Sequence, residues 1–168
     1  MLIDSIRLGL FPALMVFAAS SDLVTMTISN KLSLALAFGF FLLAIATGMS
    51  WAVVGTHLGA AAVVLICAFG FFAKGWIGGG DAKLAAATAL WFGFGYLLEY
   101  LVYAALIGGA LTILLLMFRQ LPLPGVLARQ SWVLRLHKEG GGVPYGIALA
   151  AGALLVYPQT GWMPAVAL

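Results

Sequence analysis

Six apolar stretches, each near the length of a bilayer crossing, follow one another along the chain with short polar joints between them. They occupy residues 6–24, 32–49, 51–73, 84–98, 100–118 and 143–163. A hydrocarbon core about 30 Å thick takes about 20 residues of helix. Inside it each backbone N–H and C=O must be bonded within the protein, so a lone apolar segment crosses as a helix. The expected fold is therefore all-α, a polytopic membrane protein with about six transmembrane helices. The expected organisation is one integral membrane domain, 1–168. Composition excludes the alternative of a soluble domain. At 64% hydrophobic residues and a mean hydropathy of +1.15, a chain of 168 residues cannot hide its apolar surface from water. The apolar N-terminus reads as a first membrane helix, since its Ser-Ser-Asp-Leu exit lacks a small-x-small cleavage site.

Eight basic and five acidic residues leave a net charge of +3. The basic residues are scattered between apolar runs, which is no nucleic-acid footprint. They report orientation instead. Lys31, Lys74, Lys83, Arg119, Arg129, Arg135 and Lys138 all fall in the first, third and fifth joints. The opposite side carries Arg7, offset by Asp4. The positive-inside rule then places those joints in the cytoplasm and both termini outside. Trp51, Tyr157 and Trp162 are expected in an outer aromatic belt, Glu99 in a tight outer turn, and 119–142 as an interfacial loop without regular structure. Cys67 is the single cysteine, so an intrachain disulfide and a cysteine zinc site are both excluded. His57 and His137 lack partners at metal-ligand spacing, and no metal or cofactor is expected.

Two acidic residues call for more than a topological role. Asp4, Glu99 and Glu139 have ordinary settings at a terminus, in a turn and beside Lys138. Asp22 and Asp81 instead close one apolar run and open another, on the same side of the membrane. A helix cap is the bland reading of Asp81, which follows Gly78-Gly79-Gly80. Two carboxylates together support hydrolysis, because like charges in contact cannot both ionise. The ionised one can take a proton from water, and the protonated one can polarise a carbonyl. Gly78 and Gly80 suggest backbone that passes close to something, an extended substrate chain being the natural candidate, or that uses a positive φ. Lys83 is a candidate partner for Asp81 or for a substrate carboxylate, or else a membrane-edge anchor. Asn30 is a candidate hydrogen-bonding group near the site, or else the cap of the second span.

Gly78-Gly79-Gly80-Asp81, followed by Ala82-Lys83-Leu84, matches a Gly-x-Gly-Asp motif. Together with Asp22, Ile28-Ser29-Asn30 and Pro144-Tyr145-Gly146, it makes the chain resemble the type IV prepilin peptidases. These are intramembrane aspartic proteases, and the resemblance covers nearly the whole chain. Ser29 stands where the family often has proline. The resemblance implies Asp22 and Asp81 as catalytic residues, no cofactor, and prepilin or pseudopilin substrates with cytoplasmic leaders. It implies a bacterial inner-membrane location with the active site facing the cytoplasm. Larger members carry a methyltransferase domain with paired cysteine motifs. None is expected here, so the chain resembles the short, peptidase-only form found with Tad/Flp pilus systems. A small proton- or ion-coupled transporter using the same two aspartates is the alternative, and a non-enzymatic helix-packing subunit is a third reading.

Overall fold

The computed structural model describes residues 2–163 and is built from helices. The last five residues, on which the expected outside placement of the C-terminus bears, lie outside the described residues, as does Met1. In chain order the helices are α1 (Leu2–Thr25), α2 (Asn30–Ala46), α3 (Trp51–Ala73), α4 (Gly79–Gln120), α5 (Ser131–His137) and α6 (Tyr145–Val156). Short 3-10 turns, Leu127–Arg129 and Tyr157–Gln159, complete the order. Helices α1, α3 and α4 are long and apolar enough to cross a membrane, and α2 and α6 are shorter apolar helices. The molecule is an all-helical polytopic membrane protein, as expected.

The joints end and start helices by local chemistry. Ser29 Oγ accepts from the Leu32 N–H at 3.4 Å, and Ser50 Oγ accepts from the Val53 N–H at 3.4 Å. The cap of α2 is thus Ser29, and Asn30 is the first helical residue. At the end of α3, Gly75 takes φ +71° while the Gly75 and Trp76 N–H groups bond back to the carbonyls of Phe72 and Phe71.

The 42 residues of α4 are two helices, not one. Gly93, at φ 57° and ψ −169°, breaks the run. Asp81 and Thr112 line one cleft, yet a straight helix would set them about 46 Å apart. The chain therefore turns back at Gly93, giving a hairpin with arms 79–92 and 94–120. Only glycine takes this backbone conformation cheaply. The reversal corrects the expected turn at Glu99. Glu99 lies inside the second arm, where its Oε1 accepts from Gln159 Nε2 at 2.9 Å.

Breaking a helix leaves its last carbonyls without donors. Side chains supply them here. The Leu90 carbonyl meets His57 Nδ1 at 2.7 Å, and the Trp91 carbonyl accepts from Trp162 Nε1 at 2.7 Å. Since a carbonyl only accepts, His57 carries its proton on Nδ1. Trp91 Nε1 in turn donates to the Leu36 carbonyl at 3.0 Å. Phe11, Phe40, Trp91, Tyr157 and Trp162 interlock around the turn, with Phe11 stacked on Tyr157 at 4.5 Å. Tyr157 and Trp162 are therefore core residues, 1% and 4% exposed, and only Trp51, at 77%, fits the expected belt.

Helix α6 packs along the second arm of α4 and against α1. Its contact with α4 depends on small residues: a Cβ on Gly152 would stand 2.8 Å from the Ala104 nitrogen, and one on Gly108 would collide with the Tyr145 ring. The 119–142 segment holds more order than expected. Arg119 donates to the carbonyls of Leu136 (2.8 Å) and Gly142 (2.7 Å), and Arg135 donates to the Val24 carbonyl at the end of α1 (2.8 Å). These charges fasten α5 to the end of the bundle where Asp22 and Asp81 lie.

Candidate active site

Asp22 sits one turn before the end of α1 and is 5% exposed. Its Oδ2 accepts a hydrogen bond from the Gly146 N–H at 2.7 Å. Gly146 is the second residue of α6, so this N–H is one of the donors a helix start leaves free. The carboxylate thus occupies the N-terminal end of α6, where the helix dipole favours negative charge. No side chain fits on Gly146. A Cβ there would stand 2.8 Å from Asp22 Oδ2 and 2.7 Å from Ile28 Cδ1.

Asp81 is the third residue of the first arm of α4, and Gly78, not Asp81, is the cap. Its carboxylate folds back over that cap. A Cβ on Gly78 would lie 2.9 Å from Asp81 Oδ2. A first-turn carboxylate satisfies the helix start from within, so Asp81 also holds a position that favours negative charge.

Both side chains line a cleft of about 790 Å³, open to the outside of the bundle. Met26, Trp76, Ile77 and Val143 form an apolar rim, and Thr112 and Tyr145 come from the second arm and α6. A smaller continuation of about 260 Å³ runs under 26–28 and 78–80 and touches both carboxylates again. Met26 holds φ +57°, a conformation that costs a non-glycine residue on the order of 1–2 kcal/mol. Its N–H bonds the Asp22 carbonyl at 2.8 Å, closing α1 directly after the aspartate.

The glycines before Asp81 act through contact and not through positive φ. Gly78 is at φ −73°, and the positive-φ glycines among the described residues are Gly48, Gly75, Gly93 and Gly140. A Cβ on Gly80 would meet Ile28 Cβ at 3.1 Å and the Ile28 backbone nitrogen at 3.4 Å. Gly80 therefore lets the start of α4 touch the loop that follows Asp22. On Gly79 the neighbour is the Phe72 ring, at 3.2 Å.

Lys83 and Asn30 do not join the carboxylates. Lys83 Nζ donates to Asn30 Oδ1 at 2.8 Å, and the pair lines a separate, largely apolar groove open to the outside of the bundle. Sequence reasoning did not assign Gly146 a role at the site, although Pro144-Tyr145-Gly146 stood out as a motif. A backbone donor leaves no mark in side-chain chemistry.

The arrangement offers a buried carboxylate and a half-buried one, each at a helix start, facing one solvent-open cleft with an apolar rim. Such a pair can hold a water and exchange protons with it. The family model described as the type IV leader peptidase family matches residues 9–113, which include both aspartates. No match was found among curated proteins or among solved structures.

Proposed function

The chain belongs to the type IV leader peptidase family, and we propose that it is an aspartic endopeptidase that removes the cytoplasmic leader of Flp-type prepilins at the bacterial inner membrane. One observation carries the reading: Asp22 and Asp81, far apart in sequence, face the same open cleft at one end of the bundle. In this mechanism the pair shares a single proton. The ionised aspartate takes a proton from a bound water as the water oxygen attacks the peptide carbonyl. The protonated aspartate donates to the carbonyl oxygen, forming a neutral gem-diol. Collapse returns a proton to the leaving nitrogen, the C–N bond breaks, and acid and amine products leave. The gathering of Lys31, Lys74, Lys83 and the basic residues of 119–142 at this end of the bundle supports a cytoplasmic orientation under the positive-inside rule, where a leader would be.

The test is co-expression with a full-length Flp-type prepilin, reading leader removal by mass. Asp22→Asn and Asp81→Asn should each lower cleavage by on the order of 10³-fold, with membrane levels unchanged. The wild-type rate should fall on both sides of an optimum pH. Acid protonates the base, and alkali removes the proton the acid must give. Full processing by either variant removes the paired-aspartate mechanism.

A further inference from the structure

Helices α2 and α3 are joined by only four residues, 47–50, and yet barely touch, because the first arm of α4 lies behind both. Between them runs an open, largely apolar groove of about 610 Å³. Its floor includes Ala86 and Ala87, and its α3 wall alternates small and large residues, Ala61 and Ala62 between Leu58 and Leu65. Small residues admit the close approach of another helix, which in a membrane is driven by packing. Alanines alone would suit a lipid chain equally well.

The polar end of the groove narrows the choice. Lys83 and Asn30 are paired there at 2.8 Å, and Ser33 Oγ on the same wall is buried with no hydrogen-bond partner. Among the described residues no carboxylate reaches Lys83. A lysine at the edge of an apolar groove, next to a neutral partner and an unused hydroxyl, is built for an anionic group. This end also adjoins the aspartate site. Asn30 is two residues past Ile28, Lys83 is two past Asp81, and Ile28 and Gly80 are in contact.

We propose that this groove holds the apolar membrane helix of the leader-bearing substrate, with a substrate carboxylate near the cytoplasmic end of that helix seated on Lys83. The proposal rests on the peptidase reading above. A helix preceded by a cytoplasmic leader presents its N-terminal, positive end to Lys83. That meeting is repulsive unless the occupant brings an anion to it, which a carboxylate near that end would supply. Two residues turn a helix by about 200°, so Lys83 and Asp81 sit on opposite faces of α4. The substrate must cross the end of α4 to reach the aspartates. That distance is about 10 Å, or roughly three residues of extended chain.

The experiment uses the full-length enzyme in liposomes with a full-length Flp-type prepilin. p-Benzoylphenylalanine is placed at Ala61 or Leu65 in the groove, or at Leu116, exposed on the second arm of α4, in an Asp81→Asn background that leaves substrate intact. The groove positions should capture the prepilin at least about tenfold more than Leu116. In otherwise wild-type enzyme, Lys83→Glu should raise KM about tenfold, a loss near 1.4 kcal/mol. Changing the substrate carboxylate to lysine should restore it. Equal capture from both faces, capture of lipid or of a second copy alone, or no charge-swap rescue overturns the proposal while wild-type cleavage keeps the peptidase reading. Absence of cleavage by the wild-type enzyme overturns both.

Discussion

At the scale of single residues, glycines decide the geometry around the two carboxylates, and they do so with different neighbours. Gly146 gives its N–H to Asp22 and has no room for a methyl group, since the crowding atoms are the carboxylate itself and Ile28. Gly146→Ala should displace Asp22 and lower kcat by on the order of 100-fold, the scale of a misplaced acid–base group. Gly80→Ala meets Ile28 Cβ and backbone, which yields little, and should lose about tenfold. Gly79→Ala meets only the edge of the Phe72 ring, which can rotate away, and should stay within about threefold of wild type. The measurement is single-turnover cleavage of a prepilin by each purified variant. Equal effects at the three positions would mean that the glycines serve only as a flexible joint. The carboxylates were legible in the sequence because charge is so scarce in this chain. The donor to Asp22 was not, because any residue but proline offers the same N–H.

At the scale of elements, the hairpin in α4 is the feature that closes the bundle. It returns the chain from the aromatic end to the aspartate end, so that Thr112 faces Asp81. The residue that allows this is Gly93, packed against the His57 ring, with a Cβ position 3.1 Å from His57 Nε2. Gly93→Ala would suffer both the backbone conformation and that contact. It should cost about 1–3 kcal/mol and lower the melting temperature in detergent by roughly 3–10 °C. Gly95→Ala, whose Cβ position is open, should leave it nearly unchanged. Thermal unfolding of the two proteins checks this, and matching midpoints would show that the reversal tolerates a side chain. The sequence placed this turn at Glu99, because a charge between two apolar runs reads as a joint. The correct signal, Gly93 and Gly95 among aromatics, is ambiguous in a membrane chain where glycine also serves helix packing.

At the scale of the whole molecule, the two ends of the bundle differ in chemistry. One is packed with the rings of Phe11, Phe40, Trp91, Tyr157 and Trp162. The other carries the cleft, and over it α5 is tied down by Arg119 and Arg135. The proposed orientation, with the basic joints in the cytoplasm, predicts that single cysteines at Ser29 and Arg129 in a Cys67→Ala background are shielded from an impermeant reagent added outside intact cells. A cysteine at Gln159, exposed at the aromatic end, should react. The reverse labelling pattern would place the aspartates outside and away from any cytoplasmic leader.

Several membrane crossings as helices were readable from the residues in order, because hydropathy and the need to satisfy backbone groups act locally along the chain. The sequence also singled out Asp22 and Asp81, because a carboxylate is costly next to lipid and needs a reason to be there. The remaining features came from the packing of the folded chain. It set the reversal at Gly93, seated Asp22 against the start of α6, and moved Tyr157 and Trp162 from the surface into the core. It also sent Lys83 to Asn30 instead of Asp81. Each of these depends on which residues distant in the chain come into contact. Periodicity and charge count carry no information on that, because helices of equal hydropathy can pack on one another in many ways until side-chain shape and backbone hydrogen bonds select one.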